Sequence, residues 1–155
     1  MKKVVILDDN IEIRQKIKRI LGKFIADGFK LQIFADKNEI EGLNLIFRYS
    51  PDLVIIDLTL PKNSGMEVIM YLNSNQEIVA NSKIIILAEN PDDIRTLNLS
   101  ENFIVFDKTE KNIFMKLERE LAKFLEVKEK ASFAGRLKEY SANKLEFLNK
   151  IFLKR

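Results

Sequence analysis

Five short apolar runs punctuate the chain, and each is followed by a segment whose apolar residues recur every three or four positions. Runs of this kind, apolar on both faces, are typical of strands in a parallel sheet that is covered by helices on both sides. The pattern therefore predicts five strands, which we place at residues 3–7, 30–34, 53–56, 83–87 and 103–106.

The segments between the predicted strands show the spacing of amphipathic helices. The first helix is predicted over residues 11–25, and its buried face carries Ile13, Ile17, Ile20, Leu21 and Phe24. We expect Asp36 to cap the second helix, with Glu39 completing a capping-box pattern. Asn90 and Pro91 predict the start of a short fourth helix. Thr109 is predicted to cap a fifth helix, whose apolar positions are Ile113, Leu117, Leu121 and Phe124.

Strict alternation of strands and helices predicts an α/β fold with a doubly wound parallel sheet. Right-handed crossovers favour the strand order 2-1-3-4-5 of flavodoxin-like folds. Strands one and three are then neighbours, and ligands bind such sheets where the carboxyl ends of the strands meet. We therefore expect the residues that directly follow the strands to form the functional site.

Three acids and one lysine occupy those positions. Asp8 and Asp9 follow the first strand, Asp57 follows the third, and Lys108 follows the fifth. Neighbouring carboxylates repel each other unless a cation lies between them, and an all-oxygen set of ligands suits a hard ion such as magnesium. The sequence thus predicts a magnesium site at this edge of the sheet.

The composition excludes several classes of chemistry. The 155 residues are 46% hydrophobic and 32% charged, which is typical of a globular protein. There is no Cys, and therefore no disulfide, thiolate ligand or thiol nucleophile, and the absence of His excludes His-based triads. No apolar run approaches the roughly 20 residues of a membrane span, and the first strand leaves no room for a signal peptide. We expect a cytoplasmic protein without a membrane partner.

The residues at the strand ends resemble those of the receiver domain of two-component response regulators. The resemblance covers residues 1–127 and rests on the paired acids, Asp57, Pro61, Gly65 and Lys108, in order and on the matching elements. It implies that Asp57 accepts a phosphoryl group, assisted by Lys108. It also implies that Asp9, Asp57 and the backbone carbonyl of Thr59 hold Mg²⁺, while Asp8 acts through water. Such a protein is a switch that phosphorylates and dephosphorylates itself rather than a turnover enzyme.

Five positions depart from the family's pattern. Ala88 stands where the fourth strand usually ends in Ser or Thr, so the hydroxyl that contacts the phosphoryl group is missing. Glu89 replaces a small residue and could narrow the path of the phosphodonor. Val105 occupies the aromatic switch position, with Phe106 beside it, and Thr109 replaces the proline that usually follows the lysine.

Three functions remain open at this stage. The first is a phosphorylatable receiver that relays its signal through altered protein–protein contacts. The second is a pseudo-receiver, a phosphorylation-independent interaction module, which Ala88, Glu89, Val105 and Thr109 motivate. The third is a metal-dependent phosphohydrolase of related topology, but such enzymes place an acid two residues after the nucleophile, where this chain has Thr59.

The pattern of the last 28 residues, 128–155, predicts no further strand. An amphipathic pattern there predicts a C-terminal helical extension, with apolar positions at Leu137, Tyr140, Leu145, Leu148, Ile151 and Phe152. Residues 1–107 carry 13 Lys and Arg against 16 Asp and Glu, whereas residues 108–155 carry 13 against 7. The basic surplus could attract an acidic partner, but it is interspersed with Glu, and we do not expect direct DNA binding. The expected partners are a histidine kinase or phosphotransfer protein, together with a second copy or a downstream protein that docks on the fifth and C-terminal helices.

Overall fold

The computed structural model describes residues 1–61 and 64–126. Its core is a five-stranded parallel sheet in the order β2-β1-β3-β4-β5, which confirms the predicted topology. The strands are β1 (Lys2–Leu7), β2 (Leu31–Asp36), β3 (Leu53–Asp57), β4 (Lys83–Ala88) and β5 (Phe103–Asp107). Each predicted strand is present, with ends that differ by one or two residues.

Register brings the carboxyl ends of the strands to one edge. Leu7, the last residue of β1, pairs with Ile56, and the next residue along β3 is Asp57. Asp57 in turn pairs with Leu87 of β4, and Ala88 pairs with Asp107 at the end of β5. The carboxyl ends of β1, β3, β4 and β5 therefore lie along one edge of the sheet, as expected for a doubly wound sheet.

Within residues 1–61 and 64–126, four α-helices connect or follow the strands: α1 (Ile11–Ala26), α2 (Glu39–Tyr49), α3 (Ser64–Ser74) and α4 (Ile113–Phe124). Asn10 caps α1 by accepting hydrogen bonds from the backbone N–H groups of Glu12 and Ile13. The predicted cap of α2 is wrong, because Asn38 performs that role and Asp36 ends β2. Asp36 instead accepts hydrogen bonds from the two backbone N–H groups that follow it.

The connection between β4 and β5 contains a 3₁₀ turn where the sequence predicts a short helix. Asn90 caps it as predicted, accepting from the backbone N–H of Asp92, but the element that follows is a single 3₁₀ turn over Pro91–Ile94. The predicted fifth helix corresponds to α4. The prediction that Thr109 caps it is wrong, because α4 begins only at Ile113. The Thr109 hydroxyl donates to Asp107 instead.

The central strands of the sheet are buried on both faces, whereas the edge strands β2 and β5 are mostly half-buried. Residues 4–7 of β1 and all of β3 are buried, as the continuous apolar runs predicted. Helix α2 approaches β1 closely at Gly42, where an added Cβ would lie 2.6 Å from a methyl group of Leu7. The main core cluster lies on the face of the central strands that packs against α2 and α3, and its large members include Leu7, Ile46, Ile56, Ile69 and Leu72.

The chain divides into two compact units, Met1–Lys116 and Leu117–Arg155, and helix α4 contains the division. The sequence-based boundary between residues 127 and 128 stays a prediction. The predicted C-terminal helix at residues 128–155 lies outside the described residues. Among the helices that the structure describes, none has the length and apolar character needed to cross a bilayer.

Candidate functional site

Asp8 and Asp9 lie directly beyond β1, and their environments differ. The Asp8 backbone N–H donates to the carbonyl of Asp36, which continues the pairing with β2. Asp8 Oδ1 accepts a hydrogen bond of 2.8 Å from the backbone N–H of Asn10. Asp8 is 1% exposed, whereas Asp9 is exposed to solvent. Asp8 is therefore held inside the site by hydrogen bonds with the backbone, and Asp9 lies at the solvent-exposed edge of the site.

Asp57 is the last residue of β3 and is fully buried. Its Oδ1 accepts two hydrogen bonds from Thr59, one from the backbone N–H at 3.0 Å and one from the hydroxyl at 2.9 Å. Its Oδ2 accepts from Lys108 Nζ at 2.6 Å. Hydrogen bonds and a countercharge thus fix both carboxylate oxygens in one orientation.

Lys108 reaches Asp57 because the end of β5 is tied to β4. The Lys108 backbone N–H donates to the Ala88 carbonyl at 2.7 Å, so the residue stays in register one position beyond the strand. The Asp57–Lys108 ion pair is largely shielded from water, since the lysine side chain is 14% exposed and the aspartate 0%. Lys108 Nζ also lies 3.4 Å from the Thr59 hydroxyl.

The three carboxylates form a cluster. Asp8, Asp9 and Asp57 each offer an oxygen, and these oxygens all lie within 4.8 Å of one another. Burial, reinforced by the negative charge of Asp57, raises the pKa of Asp8 to about 6. Within the described chain, no group donates a hydrogen bond to the buried Asp8 Oδ2. An unpaired buried carboxylate oxygen is costly, and a hard cation would relieve that cost.

Gly65 allows α3 to start against the backbone of the site. A Cβ at this position would lie 2.3 Å from the Asp57 carbonyl oxygen and 2.5 Å from that of Leu58. Those distances exclude any side chain without a shift of the backbone. The Ser64 hydroxyl, one residue earlier, donates to the carbonyl of Pro61 at 2.9 Å.

The residues that depart from the family's pattern lie in or just beyond the carboxyl ends of β4 and β5. Ala88 is fully buried within the core cluster, while Glu89, the next residue, is exposed. Val105 is partly buried against the core, and Phe106 is also partly buried. Thr109 is exposed, and its hydroxyl and backbone N–H both donate to Asp107 Oδ1, at 2.6 and 2.8 Å. These two hydrogen bonds lower the pKa of Asp107.

Two contributions were missed by sequence reasoning. Arg14 of α1 donates from its guanidinium to the Asp8 carbonyl at 2.6 Å, and no motif in the sequence indicates it. The Thr59 side chain contacts Asp57, whereas only its backbone carbonyl was singled out from the sequence. A signal for the second did exist, because Asp57-Leu58-Thr59 and Asp107-Lys108-Thr109 share an Asp-X-Thr pattern and fold into the same turn.

An open depression of about 340 Å³ adjoins the site on the side of β4. It is lined by Leu58, Thr59, Met66 and Asp93. Asp93 is positioned there by the side-chain amide of Asn90, which donates to its carboxylate at 2.9 Å. A group bound on Asp57 could therefore extend toward Thr59 but would meet negative charge on the far wall.

A parallel sheet in this order, with paired acids after β1, a buried acid at the end of β3 and a lysine after β5, defines a receiver module of signal transduction. The family model for the response regulator receiver domain matches residues 4–105. The chain belongs to this family, whose members act in two-component systems.

Relatives and solved structures point the same way. A Pseudomonas aeruginosa protein named as a transcriptional regulator is 38% identical over 92 residues, which are 59% of this chain and 41% of that protein. The polar-differentiation response regulator DivK of Brucella anthropi is 35% identical over 77 residues, or 50% of this chain and 58% of DivK. The matched part thus spans about half the length of these curated relatives.

Among solved structures, the Thermotoga maritima response regulator TrrA in complex with Mg²⁺ and BeF aligns with a TM-score of 0.61. It is 27% identical, and the alignment covers 80% of this chain and 99% of TrrA. The signal receiver domain of a DNA-binding response regulator from Colwellia psychrerythraea aligns with a TM-score of 0.64 at 20% identity, covering 81% of this chain and 99% of that domain. That second likeness supports the fold alone.

Proposed function

We propose that the chain is a phosphorylatable receiver in which Asp57 accepts a phosphoryl group from a phospho-histidine donor. One observation carries this proposal: the Asp57 carboxylate is oriented by Lys108 and Thr59 within a cluster of three acids. A carboxylate can act as a nucleophile toward phosphorus when it is positioned in line and when nearby negative charge is neutralised. The hydrogen bonds from Thr59 and the positive charge of Lys108 favour Asp57 over its two neighbours.

The transfer would form a bond from an Asp57 oxygen to phosphorus while the bond from phosphorus to the donor nitrogen breaks. The electron pair of that bond leaves with the imidazole of the donor. Lys108 balances the charge of the carboxylate before transfer and that of the phosphoryl oxygens afterwards, because its ammonium group faces Asp57 Oδ2. Asp8 and Arg14 keep the end of β1 in place, since Arg14 donates to the Asp8 carbonyl.

The acidic cluster fits a magnesium ion. Asp9, Asp57 and the Thr59 carbonyl would hold it, with Asp8 acting through water, and the unpaired Oδ2 of buried Asp8 supports an ion nearby. When bound, the ion supplies positive charge that offsets the repulsion between the carboxylates and an incoming phosphoryl group. The all-oxygen donor set suits this ion and offers no soft ligand for a transition metal.

The proposed partners follow from the chemistry of the donor. This chain has no His, so a phospho-histidine must be supplied by a sensor kinase or a phosphotransfer protein. The response would be relayed through changed contacts with other proteins. The phosphorylation-independent alternative gains no support from the site, because the acids and the lysine are all present in a paired arrangement.

The test is the intact mass of the purified chain after incubation with phosphoramidate and Mg²⁺. We expect the wild-type protein to gain one phosphoryl group, and we expect no gain for Asp57→Asn or in the presence of excess EDTA. Asp107→Asn is the matched control. Asp107 occupies the same kind of Asp-X-Thr turn at the end of β5, but it does not belong to the cluster of Asp8, Asp9 and Asp57. Equal labelling of wild type and Asp57→Asn would show that the phosphoryl acceptor lies elsewhere.

A further inference from the structure

The Thr59 hydroxyl lies close to both partners of the Asp57–Lys108 ion pair. Its Oγ1 is 2.9 Å from Asp57 Oδ1 and 3.4 Å from Lys108 Nζ. A hydroxyl has one proton to donate, and here it goes to the carboxylate, which also accepts from the Thr59 backbone N–H at 3.0 Å. Oδ1 therefore keeps a donor even when the hydroxyl turns elsewhere.

The end of β4 offers no hydroxyl at the corresponding place. Ala88 is fully buried and belongs to the core cluster together with Ile84 and Ile86 of the same strand. Its carbonyl is already engaged by the Lys108 backbone N–H. A phosphoryl group on Asp57 would find only a methyl side chain at this point, so it could not draw the β4 end toward itself through a side-chain hydrogen bond.

We propose that the Thr59 hydroxyl is the side-chain donor to the phosphoryl group on Asp57, so that phosphorylation acts on the turn at Thr59 and on the start of α3. The inference rests on the proposed function. Phosphorus adds to Oδ2, the oxygen that faces Lys108, which leaves Oδ1 as the carbonyl oxygen of an acyl phosphate. That oxygen carries less negative charge than a carboxylate oxygen, and the phosphoryl oxygens carry more. The hydroxyl therefore rotates from Oδ1 to the stronger acceptor.

Movement at Thr59 has a short route to α3. Gly65, in the first turn of α3, packs on the carbonyl groups of Asp57 and Leu58, so tightly that a Cβ there would lie 2.3 and 2.5 Å from them. The Ser64 hydroxyl is bonded to the Pro61 carbonyl at 2.9 Å. A change of the turn at Thr59 must therefore be accommodated by the start of α3.

The test compares wild type, Thr59→Val and Thr59→Ser by amide NMR during titration with beryllofluoride in the presence of Mg²⁺. In wild type and Thr59→Ser, we expect the largest amide shifts at Thr59, Leu60, Ser64 and Gly65. In Thr59→Val, which keeps the size but not the hydroxyl, we expect these shifts to shrink and beryllofluoride affinity to fall about tenfold, the effect of losing one hydrogen bond to a charged group. Thr59→Ala repeats the comparison should valine disturb the fold.

Thr96→Val is the matched control, because Thr96 is exposed in the segment that follows the 3₁₀ turn. It should bind beryllofluoride as wild type does. If Thr59→Val and Thr59→Ala reproduce the wild-type shifts and affinity, the inference is overturned while the proposed function stands. If wild type neither binds beryllofluoride nor gains a phosphoryl group, the proposed function falls and this inference falls with it.

Discussion

Replacing Asp8 with asparagine should stabilise the metal-free protein at neutral pH. The substitution removes a buried negative charge but keeps an oxygen that can accept the 2.8 Å hydrogen bond from the Asn10 backbone. Burial and the charge of Asp57 raise the pKa of Asp8 from 3.8 to about 6. Each pKa unit corresponds to about 1.4 kcal/mol, so ionised Asp8 lowers the free energy of unfolding by about 3 kcal/mol.

The sign of the pH dependence follows from proton binding. Between about pH 4 and pH 6 the native protein holds a proton on Asp8 that the unfolded chain has released. The contribution of Asp8 to the free energy of unfolding therefore falls as pH rises through this window and stays low above it. Below about pH 4 the carboxyl is neutral in both states, and the wild type and Asp8→Asn should be equally stable.

The assay is urea denaturation of both proteins in EDTA at several pH values between about 4 and 8. Glu101→Gln, which removes an exposed carboxylate outside the cluster, controls for the change in net charge. We expect Asp8→Asn to gain about 3 kcal/mol at neutral pH and Glu101→Gln to gain under about 0.5 kcal/mol, as for ordinary surface substitutions. A gain for Asp8→Asn that does not change with pH, or no gain at all, would refute the reasoning.

Three further predictions concern the glycine contact, the turn after β5 and the metal. Gly65→Ala should lower the free energy of unfolding by about 1–3 kcal/mol in urea denaturation, whereas Gly22→Ala in α1, with no atom within 4 Å of the added Cβ, should raise it by about 0.5–1 kcal/mol; the reverse order would contradict the packing argument. Thr109→Val, which removes the hydroxyl hydrogen bond but keeps the backbone one, should raise the pKa of Asp107 toward its ordinary value in an NMR titration, and an unchanged pKa would show that the Thr109 hydroxyl does not lower it. Mg²⁺ should raise the melting temperature of the wild type but not of Asp9→Asn, and equal shifts would place the ion elsewhere.

The sheet could be predicted because its strands are apolar on both faces. Val4 to Leu7 and Leu53 to Ile56 are buried without interruption, so the sequence run and the structural element coincide. Strand order followed from the alternation of strands and helices together with right-handed crossovers. The carboxyl-end position of Asp57 then followed from the length of the run, since one apolar strand leaves little choice about where it ends.

The helix caps were harder to predict because several polar residues compete for each position. Asp36 and Asn38 are both good caps, and the strand retains Asp36 through pairing with Leu7 of β1, which leaves the cap to Asn38. Thr109 has an alternative partner in Asp107, two residues earlier, and this local turn wins over a helix that starts only at Ile113. Local hydrogen bonding of this kind cannot be weighed from spacing alone.

Side-chain contacts within the site were predictable only in part. The sequence places Asp57 and Lys108 at the same edge of the sheet, and in the structure Lys108 Nζ lies 2.6 Å from Asp57 Oδ2. The guanidinium of Arg14 reaches the Asp8 carbonyl from the first turns of α1, and periodicity marks that residue merely as a position off the buried face. Such a contact depends on the distance between helix and strand, which the sequence does not encode in any single motif.

Reduction of the phosphorylated protein with borohydride tests the central claim most directly. An acyl phosphate on aspartate is reduced to homoserine, whereas a free carboxylate is not, so peptide mass spectrometry identifies the residue that carried the phosphoryl group. After incubation with phosphoramidate and Mg²⁺, the account predicts homoserine at position 57 and unmodified Asp8, Asp9 and Asp107. Homoserine at any of those three positions, or at none, would contradict the assignment of Asp57 as the phosphoryl acceptor.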